Sequence, residues 1–212
     1  SQLWEPKNFD EKFEKPMRLH TALVKSKNLV SIRILQAIGI QYAQDYITRF
    51  GFDANRHPPY LPMALGSGSV TPMQMAAGYA IFANGGFRIA PYFIKRIEDE
   101  KGTIIEQFQP VTVLNGAKRV IDPRNAFIMT SMMQDVINHG TAIKAKQLGR
   151  SDLAGKTGTT SDTKDAWFAG FNSQILSVVW VGYDDNTAMG LTGASAALPV
   201  WTQLTKATQP FY

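Results

Sequence analysis

The apolar residues in the first quarter of the chain recur every three or four positions, which is the spacing of an amphipathic helix. They predict helices from Met17 to Lys25, from Leu29 to Ile38 and from Ile40 to Phe50. The polar residues Ser26-Lys27-Asn28 interrupt the first two helices, and Gly51 is a suitable C-cap for the third. Residues 1–16 contain two prolines and alternating charges, so we expect an extended or looped segment there.

The middle of the chain alternates between loop-forming and periodic stretches. Residues 53–70 are rich in Pro, Gly and Ser and predict a loop. Thr71-Pro72 is a typical N-cap followed by proline at the first helical position, so a helix is predicted from Met73 to Ala83. Its small residues and methionines favour burial in a core. A hairpin is predicted from Tyr92–Glu98 and Thr103–Phe108, and another helix from Asp122-Pro123 to Ile137.

The last third of the chain predicts three strands, at about 153–160, 165–171 and 175–183, and a final helix from Leu198 to about Ala207. The run Val178-Val179-Trp180-Val181 is apolar at every position, which favours a strand buried on both faces. Helices followed by an antiparallel meander are typical of the α+β class, which is the fold class we predict. No apolar stretch is long enough to span a bilayer.

Composition narrows the classes of function. At 212 residues and 44% hydrophobic content the chain can bury a real core. The formal charge of +5 suggests anionic surroundings, such as an acidic polymer or lipid headgroups, or else only a solvated surface. Lys and Arg are scattered without a basic, aromatic-rich run, so we expect no nucleic acid partner. There are no cysteines, and the three histidines lack metal-ligand spacing, so we expect no thiol chemistry, metal or cofactor.

The stretch Lys156-Thr157-Gly158-Thr159 concentrates chemistry in four positions. On an extended segment, Thr157 and Thr159 point to one side and Lys156 to the other. Two hydroxyls beside an ammonium group can bind a carboxylate, and backbone N–H groups left uncovered by Gly158 could stabilise an oxyanion. The alternative is an ordinary edge strand in which threonine serves β-propensity.

Taken together, Ser26-Lys27-Asn28 and the later Lys-Thr-Gly resemble two motifs of penicillin-binding proteins and class A β-lactamases. Longer stretches resemble the transpeptidase domain of bifunctional class A penicillin-binding proteins, and they lie at 13–28, 64–72, 82–86, 139–142 and 165–170. The resemblance runs over nearly the whole chain. It implies the penicillin-binding-protein and serine β-lactamase-like transpeptidase fold, an antiparallel sheet flanked by helices.

The resemblance also implies roles for individual residues. Ser26 would relay a proton to the leaving amine, and Asn28 would bind the amide of the substrate. Lys156 would hydrogen-bond Ser26 and add positive potential. Thr157 and Thr159 would bind the substrate carboxylate, and the Thr159 N–H would be one oxyanion donor. Ser26, Lys156 and Thr159 are therefore the predicted catalytic residues, with Asn28, Thr157 and Thr159 binding substrate. For Ser26 and Asn28 the alternative is a polar loop or cap between helices.

One part of the family pattern is missing. The family's nucleophile is the serine of a Ser-x-x-Lys motif at the start of a helix that precedes Ser-x-Asn. Here Ser-x-x-Lys occurs only at Ser161-Asp162-Thr163-Lys164, in a polar turn after the later motif, and we interpret it as coincidence. We therefore expect 1–212 to be an incomplete transpeptidase domain. The nucleophile, a glycosyltransferase domain and a membrane anchor would lie upstream in the same protein, and residues would be skipped near 4, 110 and 190.

The expected activity is D,D-transpeptidation. The enzyme would cross-link peptidoglycan stem peptides through a serine acyl-enzyme at the periplasmic face of the bacterial inner membrane, and β-lactams would inhibit it covalently. Two alternatives stay open. A D,D-carboxypeptidase or β-lactamase would use water as acceptor, although no glutamate can be assigned to activate it. A non-catalytic module would bind peptidoglycan or antibiotic without turnover. Trp167, Trp180 and Tyr183 could line the cleft or belong to the core.

Overall fold

A computed structural model describes residues 4–209, and its helices and strands follow the predicted order. The α-helices are α1 (Leu19–Val24), α2 (Asn28–Ile38), α3 (Ile40–Ile47), α4 (Pro72–Ala83), α5 (Pro123–His139) and α6 (Leu198–Thr208). The strands are β1 (Phe87–Arg88), β2 (Arg96–Glu98), β3 (Ile104–Gln107), β4 (Lys118–Arg119), β5 (Ala154–Thr159), β6 (Asp165–Phe171) and β7 (Leu176–Gly182). Within 4–209, no helix combines the length and hydrophobicity that a membrane crossing requires.

The predicted helix signals are confirmed where local chemistry defines them. Thr71 forms a capping box at the start of α4: its hydroxyl accepts from the Gln74 N–H at 3.1 Å, and the Gln74 side chain accepts from the Thr71 N–H at 2.9 Å. After α3 a short 3₁₀ turn, Thr48–Phe50, ends at Gly51, whose φ of +92° is a conformation that favours glycine. These two signals therefore define the start of α4 and the end of the α3 segment.

Strands β5, β6 and β7 form an antiparallel meander in that spatial order. One face packs on α5 and α6 in a cluster that includes Phe168, Val136 and Trp201. The other face packs on α4 and α5 through a cluster that includes Phe171 and Met133. The sheet is therefore flanked by helices on both sides, and the predicted α+β fold is confirmed.

The prediction that Val178–Val181 forms a strand buried on both faces is wrong. The valines of β7 are only half-buried, and Trp180 keeps 37% of its surface exposed. The physical reason is position: within 4–209, β7 pairs only with β6, so its outer edge has no neighbouring strand. An apolar run thus marks a strand without saying how many neighbours cover it.

The predicted hairpin exists but is shorter than expected. Its strands are β2 and β3, joined in an antiparallel register with an irregularity at Ile97–Glu98. A second two-stranded ribbon pairs β1 with β4, Phe87 opposite Arg119. We did not predict this ribbon, because two-residue strands 30 positions apart leave no periodic signal.

Trp201 should contribute strongly to stability. Its side chain is 1% exposed, packs edge-on against Phe168 at a ring distance of 4.9 Å, and donates to the Gly170 carbonyl at 3.3 Å. We expect Trp201→Ala to lower the free energy of unfolding by about 3–5 kcal/mol through the cavity it creates. Thermal unfolding measures the change. Val200→Ala on the same helix, at a position 50% exposed, is the matched control and should change it by less than about 0.5 kcal/mol.

Candidate active site

Ser26 occupies a strained position at the end of α1. Lys27 N–H donates to the Ala22 carbonyl at 2.8 Å and Ser26 N–H to the Leu23 carbonyl at 3.0 Å, which together form a Schellman motif. Ser26 is the left-handed residue of that motif, with φ of +56°, where glycine is usual. A non-glycine residue in this conformation costs of order 1–3 kcal/mol and persists only where its surroundings hold it.

Helix α1 is fixed against the end of α5. His20 Nε2 lies 2.7 Å from Asp135 Oδ2, and these two residues tie the helices together. Gly140 follows α5 and lies so close to α1 that a Cβ there would overlap the Val24 carbonyl oxygen. The close packing places the Ser26 turn beside the strand that follows α5.

Lys156 bridges that strand to the turn. Its Nζ donates to Ser26 Oγ at 2.7 Å and to the Thr157 carbonyl at 3.0 Å. Burial lowers the pKa of Lys156 to about 8, because desolvation disfavours the charged ammonium. The structure therefore joins two residues 130 positions apart that the sequence had assigned to one site.

Thr157 and Thr159 each have a neighbour that orients the hydroxyl. Thr157 Oγ1 lies 2.7 Å from Thr141 Oγ1, and Thr159 Oγ1 accepts from the Gly193 N–H at 3.0 Å. Gly193 begins a π-helical turn, Gly193–Ala197, that packs on β5. A Cβ at Gly193 would overlap the carbonyl oxygens of Gly158 and Trp167, so the close approach requires glycine.

Asn28 lies at the start of α2, where its side-chain Nδ2 donates to the Lys7 carbonyl at 3.0 Å. The alternative reading of Ser26 and Asn28, a polar junction between two helices, thus describes their location correctly. The same junction brings Ser26 to Lys156. Asn28 itself makes no described contact with Lys156, and its role in binding a substrate amide stays a prediction.

A cavity of about 670 Å³ opens along β5. Its lining includes Lys156, Thr157, Gly158 and Thr159. Ser26 is not among the described lining residues, but it is hydrogen-bonded to Lys156. Much of the remaining lining is apolar and aromatic, and it includes Leu35, Phe50, Phe52, Tyr79 and Phe82. A slightly larger cavity, of about 700 Å³, contains none of the predicted site residues.

Asp165 and His57 also line the cavity. Asp165 is the only carboxylate among the described lining residues; Trp180 Nε1 donates to it at 2.7 Å and the Thr160 hydroxyl at 3.2 Å. His57 Nε2 is buried without a hydrogen-bond partner in the described part of the chain, and burial lowers the pKa of His57. The described hydrogen bonds of Lys156 go instead to the Ser26 hydroxyl and the Thr157 carbonyl.

Two further sets of candidates were the Ser161–Lys164 turn and the aromatic residues near the cleft. Ser161 and Lys164 lie in and just after an exposed 3₁₀ turn between β5 and β6, so this Ser-x-x-Lys does not begin a buried helix. Trp167 lines the cavity, whereas Trp180 and Tyr183 are exposed, so the alternative that all three belong to the core is wrong.

Three contributions were missed by sequence reasoning. Thr141 belongs to a stretch noted for its resemblance but given no role, Gly193 carried no signal, and the residues 7–14 that contact the Ser26 turn were read only as a loop.

The assembled site can hold a carboxylate against two oriented hydroxyls and a nearby ammonium. It can also pass a proton between Lys156 and the Ser26 hydroxyl.

Comparison with known proteins identifies the class that this fold and site define. The family model described as penicillin binding protein transpeptidase domain matches residues 2–204. The chain belongs to the penicillin-binding-protein transpeptidase family. The predicted resemblance to this family is therefore confirmed.

Within the family, the chain is similar to penicillin-binding protein 1A. It is 50% identical over 201 residues to penicillin-binding protein 1A of Neisseria lactamica, covering 94% of this chain and 25% of that protein. It also matches the crystal structure of penicillin-binding protein 1A from Haemophilus influenzae with a TM-score of 0.93 and 34% identity, over 99% of this chain and 37% of that one.

A more distant match supports the fold alone. The structure of the PonA1 protein from Mycobacterium tuberculosis in complex with penicillin V superposes with a TM-score of 0.77 at 20% identity, over 96% of this chain and 59% of that one. The chain thus spans about a quarter of the length of the curated relative and little more than half of this structure.

We expect Thr141 to stabilise the site through its hydroxyl. Thr141→Val keeps the shape of the side chain but leaves the half-buried Thr157 hydroxyl without this partner, which should lower the free energy of unfolding by about 1 kcal/mol. Chemical denaturation followed by tryptophan fluorescence measures it. Thr141→Ser, which keeps the hydroxyl, is the control. A valine variant at least as stable as the serine variant would contradict this role.

Proposed function

We propose that this chain is part of a serine-type D,D-transpeptidase that cross-links peptidoglycan stem peptides. The observation that carries the proposal is the 2.7 Å hydrogen bond from Lys156 Nζ to Ser26 Oγ, made beside a cavity lined by Thr157 and Thr159. Membership of the transpeptidase family supports the same reaction. Ser26, Lys156 and Thr159 act in catalysis, and Asn28, Thr157 and Thr159 bind substrate.

The reaction is acyl transfer in two steps. A serine hydroxyl attacks the carbonyl carbon of one stem peptide, the C–N bond to the leaving amine breaks, and an ester to the serine forms. Ser26 passes a proton to the leaving amine, and Lys156 holds the Ser26 hydroxyl in place for that transfer. The amine of a second stem peptide then attacks the ester, forms the cross-link and restores the serine hydroxyl.

The threonine contacts favour carboxylate binding. Thr159 Oγ1 already accepts from the Gly193 N–H, so its own proton is left to donate into the cavity. If Thr141 donates to Thr157, the Thr157 proton is likewise directed to a ligand. Two hydroxyl donors and the nearby Lys156 ammonium then surround one carboxylate, as charge-assisted hydrogen bonds require.

We propose that the nucleophilic serine lies outside this chain and enters the cavity on an upstream segment. The apolar wall formed by residues such as Phe52 and Tyr79 is suited to a packed helix rather than to water. The relatives' greater length is compatible with further parts of the same protein, which we propose include an upstream glycosyltransferase and a membrane anchor that place the site at the periplasmic face of the inner membrane.

The hydrolytic alternatives are less well supported. A carboxypeptidase or β-lactamase needs a group that activates water against the acyl-enzyme. Among the described residues no glutamate lines the cavity, and Asp165 is already held by Trp180 and Thr160. A non-catalytic binding module of the same fold would bind penicillin reversibly, so covalent labelling separates it from the enzyme.

The proposed function predicts that the full-length protein is acylated by penicillin. Incubation with excess penicillin should add one penicilloyl group, detected by intact-mass spectrometry after denaturation. Ser26→Ala and Lys156→Ala should slow the reaction at least about tenfold, because each removes the hydrogen bond between the two residues. Ser161→Ala, in the exposed turn, is the control and should react like wild type.

Three outcomes would contradict parts of this proposal. Absence of an adduct on the full-length protein would favour the binding module. An adduct on Ser161 would place the nucleophile in this chain. Equal rates for wild type, Ser26→Ala and Lys156→Ala would exclude the assigned roles.

The proposed role of Lys156 also predicts that the rate of acylation depends on pH. Because burial lowers the pKa of Lys156 to about 8, its ammonium is lost as the pH rises through that value, and with it the attraction for the carboxylate of penicillin. The second-order rate constant of acylation should therefore fall with a midpoint near pH 8. Lys156→Arg stays protonated, so its slower reaction should show no such decrease. A wild-type rate that is flat from pH 6.5 to 9.5 would contradict the assignment.

A further inference from the structure

Lys27 lies between two predicted site residues, and its side chain is almost fully buried. Only 6% of the side chain is exposed, and its Nζ lies 2.6 Å from Asp10 Oδ2 and 3.1 Å from Glu14 Oε1. A buried ammonium is costly unless it is paired and hydrogen-bonded. The two carboxylates come from the segment before α1, so the ion pairs join that segment to the Ser26 turn.

The same segment makes two further contacts with the start of α2. The side-chain oxygen of the buried Asn8 accepts from the Leu29 N–H at 3.2 Å, so it caps α2, whose own flanking residue Lys27 supplies no side-chain cap. The Lys7 carbonyl accepts from Asn28 Nδ2 at 3.0 Å. Residues 7–14 therefore contact Lys27, Asn28 and Leu29 in succession.

These contacts surround the strained residue. Ser26 in the left-handed conformation is unfavourable, and relaxation of φ would swing its Oγ away from Lys156. On its carboxyl side, Lys27 is held by the ion pairs and Leu29 by Asn8. On its amino side, α1 is held against α5. A residue fixed from both sides can keep a conformation it would otherwise leave.

We propose that Lys27, Asp10 and Glu14 form a positioning clamp that keeps the Ser26 hydroxyl aligned with Lys156 for proton transfer. This inference rests on the proposed function and adds three residues that do not themselves touch the substrate. None of the three lines the cavity or contacts Thr157 or Thr159, so the clamp acts on the Ser26 turn and leaves the carboxylate seat on β5 unchanged.

The ion pair between Lys27 and Asp10 keeps its charges throughout the range in which acylation is assayed. The hydrogen bond from Lys27 lowers the pKa of Asp10, and the hydrogen bond to Asp10 raises the pKa of Lys27. The ion pair is therefore lost only below the ordinary pKa range of aspartate or above that of lysine. A pH near 7 is thus suitable for comparing variants, since neither partner titrates there.

The test uses the full-length protein and separates penicillin binding from the acylation step. Stopped-flow kinetics give the dissociation constant of the first complex and the acylation rate constant. Lys27→Met should lower the acylation rate constant about tenfold or more, because small misplacements of a proton-transfer group are costly. The dissociation constant should change less than about twofold. Lys27→Arg, which can keep both ion pairs, should restore most of the rate.

Lys25→Met is the matched control, because Lys25 is an exposed lysine on the other side of Ser26. It should react like wild type. Asp10→Asn and Lys27→Met should not be additive: the double variant should be no slower than Lys27→Met alone, since both remove the same ion pair. Melting temperatures of all variants are measured in parallel.

A merely structural role for Lys27 predicts a different pattern. It would lower the melting temperature while the acylation rate of the folded protein stayed within twofold of Lys25→Met, and that result would overturn the clamp. A crystal structure of Lys27→Met gives a readout independent of activity: the clamp requires the Ser26 Oγ to Lys156 Nζ distance to exceed hydrogen-bonding range, and an unchanged distance would overturn it. Failure of the wild type to acylate would overturn the proposed function, while this structure would still decide the clamp.

Discussion

The hydrogen bond from Lys156 to Ser26 joins two parts of the molecule that both pack against α5. On one side is a short helix followed by Ser26 in the left-handed conformation, and on the other is a strand at the edge of a three-stranded sheet. Much of the surrounding structure keeps these two parts in place. Gly140 allows α1 to approach α5 closely, and Gly193 allows the π-helical turn to lie on β5. The site thus depends on two close backbone approaches that any larger residue would prevent.

The local elements could be predicted because their causes are local. The capping box at Thr71 and the glycine after α3 lie within a few positions of the structure that they define. Ser26 and Lys156 could be assigned to one site only through the resemblance to a family. Neither periodicity nor spacing relates residues 130 positions apart.

The contacts that hold the site residues in place could not be predicted from the sequence. Asn8 caps a helix that begins 20 positions later, and Thr141 orients a hydroxyl on another element. Such contacts arise from packing, and their residues look like ordinary loop or turn residues in the sequence. The exposure of β7 was also unpredictable from the sequence, because the burial of a strand depends on neighbours that its own residues do not specify.

The left-handed turn at Ser26 has a consequence for how this sequence can change. Glycine is the residue that the backbone prefers at that position, so a change to glycine would relieve the strain and favour the folded state. The same change would remove the hydroxyl that meets Lys156. Under the proposed function, greater stability at this position therefore opposes activity. A search for thermostable variants that does not measure turnover would select a glycine that removes the proposed proton relay.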